Sequence, residues 1–393
     1  MKYAFAIYNL NTLKKCASLI DTAILMCPKY AYIYEDNFDI DEAIKYCLDN
    51  SIEVVIAINR IFMEHELESI KEFVLKYKNY KFLISDLGVV EIFKELSMKD
   101  KVIYDPDTLI CNSSDLGVYN SYGFDALGMS NEILIDDVKT SFNKVNAPIF
   151  YQVFGRKLMF YSKRKLLSLY EEYKGINFTK ENLSLVEEKR PGQFFEMQEN
   201  ERGTFIMNSK DLCLLDRLDD ILPVGMDSFK IEGRNKSEYY VAITARAYRA
   251  AIDSWFENPE QWNAEEFKKE LYTLHCRGYT TGFLDGNAGP EAHNYTVSAS
   301  TGDWRYAGQV LKQEQNHLTV LLKHKITLGT KLELLIPGQW KPYTFVVKEM
   351  YHPVSKAPLT EMSPGPVDQK VELVLEDKSL QVPTFSVLRT KIA

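Results

Sequence analysis

Apolar positions along the first two thirds of the chain follow two alternating rhythms. Short β-branched or aromatic runs are succeeded by segments with apolar residues at helical spacing, the pattern of βα units wound around a parallel sheet. The predicted strands are Tyr3–Tyr8, Tyr30–Tyr34, Val54–Ile58, Phe82–Ser85, Lys101–Tyr104, Phe124–Leu127, Pro148–Val153, Thr204–Met207 and Ser228–Ile231. Between them, Asp41–Leu48, His65–Tyr77 and Ile133–Asn143 read as amphipathic helices. Nine candidates are one more than a TIM-type (β/α)8 barrel holds, so one of them is an excursion.

Residues 162–202 interrupt the rhythm. A basic, helix-like stretch, Ser162-Lys-Arg-Lys165, and a Glu-rich polar segment read as an insertion or a long loop at one barrel end. After helices predicted over Ser237–Asn258 and Asn263–His275, the pattern changes to turn-punctuated strands without helical period: Tyr306–Leu311, Leu318–His324, Lys331–Ile336, Tyr343–Met350, Lys370–Glu376 and Thr384–Arg389. Evenly spaced short strands predict a small all-β barrel. The α/β barrel is thus expected over 1–275, a Gly-rich polar linker over 276–296, and the β-barrel domain over 297–393.

Composition narrows the function classes. With 46% hydrophobic and 26% charged residues the chain is globular rather than disordered, and no apolar run approaches the roughly 20 residues that a membrane span needs. The N-terminal Met1-Lys-Tyr-Ala-Phe-Ala-Ile-Tyr-Asn9 reads as a strand and not as an export signal, so a cytoplasmic protein without a membrane partner is expected. Six scattered cysteines show no CxxC or other metal-ligand spacing and read as reduced thiols. A net charge of −8 argues against broad adhesion to nucleic acid while leaving room for a local basic groove.

Two junctions carry candidate chemistry. Strand Ser228-Phe-Lys-Ile231 runs into Glu232-Gly-Arg-Asn-Lys236, and Ser237 is placed to cap the following helix. Charges at the C-terminal end of a barrel strand lie on the face where barrel enzymes work, which makes Lys230, Glu232 and Arg234 catalytic candidates with Lys236 beside them. Lys230 and Glu232, two apart, share one strand face. The alternative is a capping loop whose charges are simply solvated. The second junction, Glu201-Arg-Gly-Thr-Phe-Ile-Met207 into Asn208-Ser-Lys-Asp-Leu-Cys213, predicts a helix capped by Asn208 or Ser209 with Asp211 in its first turn. Its free N–H groups with Arg202 and Lys210 would suit a phosphate or carboxylate, and ordinary capping explains it equally. The loop Cys276-Arg-Gly-Tyr-Thr-Thr-Gly-Phe283 offers Arg277, an aromatic ring and hydroxyls that could meet a nucleotide, or forms a tight hinge. A Ser-His-Asp elbow, HExxH and a P-loop are absent from the sequence.

The runs Val186-Glu-Glu-Lys-Arg-Pro-Gly192, Glu201 to Cys213, Asp227-Ser-Phe-Lys-Ile-Glu-Gly-Arg234 and Arg277-Gly-Tyr-Thr-Thr-Gly-Phe-Leu284 together resemble the core of the peptidase U32 family. Within that family the chain is most similar to the tRNA-hydroxylation branch. The resemblance implies a TIM-type barrel with a small C-terminal β-barrel, and a role in hydroxylating the wobble uridine of tRNA to 5-hydroxyuridine, with prephenate as a required metabolite. It also implies an older attribution, a collagenase-like peptidase. Several members hold a four-iron four-sulfur cluster on four cysteines. Here the first two of those positions align with Leu158 and Lys165, residues 166–185 contain no cysteine for the third, and only Cys213 matches. One thiolate cannot hold such a cluster, so no cofactor is expected in this chain. The chain then works without the cluster or pairs with a cysteine-bearing paralogue. Expected partners are tRNA and a U32 paralogue or a second copy of the chain, leaving a tRNA hydroxylation factor, a peptidase and a non-catalytic subunit open.

Overall fold

A computed structural model describes all residues except 108, 178–182, 189, 234–236, 275, 277, 290–291, 293–302, 366 and 393, with backbone alone for 187 and 190–194. Eight parallel strands close into a barrel: β1 (Lys2–Ile7), β2 (Thr22–Met26), β3 (Glu53–Ile58), β4 (Lys81–Ile84), β5 (Val102–Tyr104), β6 (Ala126–Gly128), β7 (Ile149–Gly155) and, after the excursion below, β13 (Ser228–Ile231). Pairing of β13 with both β1 and β7 shuts the cylinder. Helices α1 (Leu10–Cys16), α2 (Ile40–Asp49), α3 (Leu67–Lys76), α4 (Leu87–Glu95), α5 (Ser113–Asn120) and α6 (Ile135–Lys144) follow the first six strands in turn.

The barrel strands are buried on both faces, which is why they read as continuous apolar runs. Strand periodicity still sorts their side chains. Odd-numbered Tyr3, Phe5 and Ile7 of β1, with Leu25, Ile56 and Phe229, pack outward against the helices. Ala4 and Ala6, with Ile24, Met26, Val55, Ala57, Leu83, Ile103, Ala126 and Phe150, fill the inside.

Between β7 and β13 the chain builds a second layer: β8 (Leu158–Ser162), α7 (Leu166–Lys174), β9 (Ser184–Glu187), β10 (Arg190–Asn200), β11 (Gly203–Met207), β12 (Asp211–Cys213) and α8 (Leu218–Ile221). The segment expected as an insertion or a long loop thus carries α7 and strands of a four-stranded antiparallel sheet, β8-β11-β10-β9. Thr204–Met207 is the ninth, excess strand; it belongs to this sheet, and its Phe205 and Met207 join the interior cluster at the barrel mouth. Tyr30–Tyr34 is not a strand. The second barrel strand is Thr22–Met26, and Ala31 and Ile33 instead bend back into the interior cluster after Lys29 adopts a left-handed φ of 75°. The helix expected after Asn208 is also absent: Asp211–Cys213 is β12, antiparallel to the end of β7, because Leu212 pairs with Gly155 and Cys213 with Phe154.

Helix α9 (Glu238–Glu257) starts where Ser237 accepts from Tyr240 N–H, as predicted, and α10 (Glu265–Leu271) follows. Within the expected linker, β14 (Tyr279–Thr280) pairs with β12. The remaining strands are β15 (Trp304–Glu314), β16 (His317–Leu322), β17 (Ile326–Thr327), β18 (Lys331–Leu335), β19 (Tyr343–Val346), β20 (Met350–Tyr351), β21 (Glu361–Met362), β22 (Lys370–Val374) and β23 (Val387–Lys391). Seven of them form one antiparallel half-barrel sheet, β19-β18-β23-β15-β16-β22-β20, around its own core of Val310, Leu318, Leu332 and Leu373. This sheet rests on α9 and α10. Arg389, 3% exposed, bonds Glu270 of α10 at 2.9 Å across the junction and Glu333 of its own sheet at 2.7 Å.

Candidate functional site

The inward parity of the barrel strands continues past their ends. Tyr8 follows Ala4 and Ala6, Asn59 follows Val55 and Ala57, Ser85 follows Leu83, Asp105 follows Ile103, and Gln152 follows Phe150, all on the inner face. Lys230 and Glu232 share that face, since Lys230 is registered between Ala4 of β1 and Gln152 of β7. All these groups therefore meet at the C-terminal rim, where a (β/α)8 barrel places its chemistry.

Two glycines make the rim possible. A Cβ on Gly128 would stand 2.4 Å from Asp105 Oδ1, so β6 leaves space for that carboxylate. A Cβ on Gly155, at φ 107°, would stand 2.1 Å from the Glu232 carbonyl, and the Glu232 N–H donates to Phe154 O at 2.9 Å. Gly155 thus lets β7 pass close enough to fix the residue after β13.

A cavity of about 250 Å³ opens above this rim, lined by Asn59, Arg60, Ser85, Asp105, Asp107, Gln152, Arg156, Lys157 and Lys230, with Tyr32, Leu109, Leu158 and Tyr161 as its apolar side. Lys230 Nζ bonds Asp105 Oδ2 at 3.1 Å, and Lys157 Nζ bonds Asp107 Oδ1 at 2.5 Å. Arg60 is held from behind by Glu66 at 2.5 Å, and Arg156 by Glu196. Burial opposes the charge on Lys230, but the nearby Asp105 carboxylate, followed by Tyr32, Glu232 and Asp107, outweighs it and holds the ammonium above its ordinary pKa. Lys230 thus stands as an ammonium paired with Asp105. The lining has four cations and two carboxylates, and Glu66 and Glu196 pair the two arginines from behind. Each ammonium has three N–H donors and spends one on its aspartate, which leaves donors for a bound anion.

The structure brings together some of the sequence-predicted residues. Lys230 lines the cavity; Glu232, 2% exposed, accepts from Tyr8 Oη at 2.6 Å just below it. Asp211 accepts from Tyr240 Oη at 2.8 Å and lies 3.8 Å from Arg156 Nε, so it supports the wall from outside. Asn208 faces a neighbouring chamber, and the Lys210 side chain packs on Gly278. Arg202 does not reach the cavity: it sits at the β10–β11 turn and donates to Lys29 O at 3.0 Å. Arg234, Lys236 and Arg277 lie outside the described residues. Sequence reading missed Asp105, Asp107, Gln152, Arg156 and Lys157. Polar residues at inward parity just beyond an apolar strand, as in Tyr104-Asp-Pro-Asp107, were the available signal.

The residues do not fit an iron–sulfur cluster. Leu158 lines the mouth cavity whereas Lys165 lines a different one beside α7, and neither is a thiolate. Cys213 Sγ turns to Tyr248 Oη at 3.7 Å, and burial pushes its thiol up to about 12, the opposite of a poised metal ligand. Among the described residues no His, Cys, Asp and Glu side chains are grouped to hold a metal ion, and no helix is long and apolar enough to cross a membrane.

Comparison with known proteins places these features in context. The model of peptidase family U32 matches residues 33–294. The tRNA hydroxylation protein P of Escherichia coli K12 is 34% identical over 210 residues, 51% of this chain and 45% of that protein. An uncharacterized protease of Methanocaldococcus jannaschii is 29% identical over 257 residues, 62% of this chain and 61% of that one. The tRNA hydroxylation protein P of Helicobacter pylori J99 is 26% identical over 380 residues, 89% of this chain and 88% of that protein. The matches to the first two span less than two thirds of those relatives.

Proposed function

The chain belongs to peptidase family U32, and from that premise we propose that it acts in the cytoplasm as a factor for 5-hydroxylation of the wobble uridine of tRNA, holding an anionic metabolite at the barrel mouth. The observation that carries this reading is the cavity that Lys230, Lys157, Arg156 and Arg60 line together with Tyr32, Leu109, Leu158 and Tyr161. Cations together with apolar and aromatic side chains suit a small ring compound bearing carboxylates, and prephenate is a ring dicarboxylate of that kind. The names of the Escherichia coli and Helicobacter pylori relatives support tRNA as the macromolecular partner.

Within this reading each residue has a part. Asp105 and Asp107 orient the two ammonium groups, Gln152 spans the cavity floor by donating to Arg156 O at 3.2 Å, and Glu232 with Tyr8 forms a carboxylate–phenol pair below the anion. A peptidase has less support: among the described lining residues, Ser85 spends its hydroxyl on Asp105 O at 2.6 Å and neither cysteine nor histidine is present. The lack of thiolates at Leu158 and Lys165 favours one second reading, a subunit that works with a cysteine-bearing paralogue.

Deleting the gene and measuring 5-hydroxyuridine-derived nucleosides in tRNA by mass spectrometry tests the proposal. Loss of those nucleosides is expected, and unchanged levels in a strain without a redundant paralogue overturn it. Restoration only when the chain co-purifies with a paralogue selects the second reading, and cleavage of gelatin by the purified chain would replace both with a peptidase.

A further inference from the structure

The barrel's open face carries a second chamber beside the first. It encloses about 210 Å³ and is walled by Asn131, Lys157, Met159, Asn208, Leu212 and Phe283, among others. Lys157 lines both chambers, so the two adjoin through one side chain. The second chamber's polar residues Asn131, Lys157 and Asn208 follow β6, β7 and β11. Asn131, buried after β6, is anchored where its Nδ2 donates to Gln152 O at 2.8 Å, and Asn208 is fixed where its main-chain N–H donates to Lys157 O at 3.0 Å. The apolar side comes from elsewhere: Met159 from β8, Leu212 from β12, and Phe283 from the loop that β14 ties to β12.

These walls describe a ligand. A void of about 150 Å³ accepts a benzene ring, so this one has room for a six-membered heterocycle with exocyclic oxygens. A carboxamide sets a donor and an acceptor side by side, complementary to the N–H and C=O edge of uracil, and the Lys157 ammonium can meet a ring carbonyl. An aromatic wall suits the face of a base. Bases in single-stranded loops can be splayed out into such pockets at lower cost than paired bases.

We propose that this chamber is a subsite for one pyrimidine base drawn out of an RNA loop, with Asn208 at its hydrogen-bonding edge and Phe283 against its ring. The inference rests on the tRNA reading above and adds to it where the target base sits. Lys157, which lines both cavities, then stands between base and metabolite.

The test is fluorescence anisotropy with the full chain and a labelled RNA anticodon stem-loop carrying either uridine or an abasic nucleotide at the wobble position. The abasic RNA should bind the native chain roughly tenfold more weakly. Asn208→Leu and Phe283→Ala, checked for unchanged melting temperature, should each weaken the uridine RNA by a similar factor and lose nothing further on the abasic one. RNA that binds tightly but ignores the abasic change, or ignores both variants, overturns the subsite while leaving the tRNA reading to the gene-deletion measurement. Absence of any RNA binding also overturns the subsite, and the same deletion measurement then decides the tRNA reading independently.

Discussion

Replacing Lys230 by methionine tests whether its ion pair is functional or structural. The side chain is 9% exposed and Asp105 15%, with 3.1 Å between their charged atoms. Removing one partner of a fully buried pair costs about 3–5 kcal/mol, because the other charge is stranded. Asp105 is less stranded than that, since it borders the cavity and accepts from the Asp107 N–H at 3.3 Å. Lys230→Met should therefore cost about 2 kcal/mol, seen as a melting temperature lower by several degrees. Adding Asp105→Asn removes the stranded charge, and the double variant should return to within about 1 kcal/mol of the native chain. Stability and function then separate: both variants should lose most of the 5-hydroxyuridine-derived nucleosides in a complemented deletion strain. A double variant that regains modification along with stability would show the pair to be scaffolding. Native stability in Lys230→Met would show that the charge balance around Asp105 has been misjudged.

Three further outcomes follow from other parts of the structure. Lys15, 1% exposed in its side chain, faces Glu238 at 3.4 Å, yet burial pulls its ammonium down to about 8 from an ordinary 10.5. The folded chain thus releases a proton that the unfolded chain keeps between those pH values, so stability should rise by up to about 3 kcal/mol across that window. Lys15→Met should flatten this rise in urea unfolding curves taken at the two ends of the window, and an unchanged rise would contradict the assignment. Gly155→Ala should cost more than about 3 kcal/mol because its Cβ meets the Glu232 carbonyl, whereas Gly123→Ala, with a positive φ but open space, should cost only about 1 kcal/mol; equal melting temperatures would refute the close approach. Cys213→Ala should lower stability by about 1 kcal/mol and leave both tRNA modification and the iron content of the purified chain unchanged; a stable variant without modification would restore a role for the thiol.

The barrel was readable because its strands are short, continuous apolar runs separated by helical periods, a local signal that burial on both faces strengthens. One strand assignment went astray and one predicted strand joined a different sheet, both for a tertiary reason. Tyr30–Tyr34 alternates aromatic residues as a strand would, but its apolar side chains fill the mouth of the barrel rather than a ladder. Thr204–Met207 is a strand whose partners, Leu158–Ser162 and Arg190–Asn200, lie in the excursion, and local pattern cannot choose between sheets. The site was half legible. Lys230 and Glu232 stood out because charges inside a barrel demand partners. Those partners, Asp105 and Tyr8, come from strands over a hundred residues away in sequence, and only closure of the cylinder brings them together. Arg156 and Lys157 follow β7 without any motif, and their role depends on the sheet folded over them.

Calorimetric titration of prephenate into the purified chain and into Lys230→Met tests the anion cavity most directly. One-site binding to the native chain that weakens at least about tenfold in the variant, and weakens with salt, is the predicted result. Equal affinity in both proteins, or no binding heat with the native chain, would contradict it.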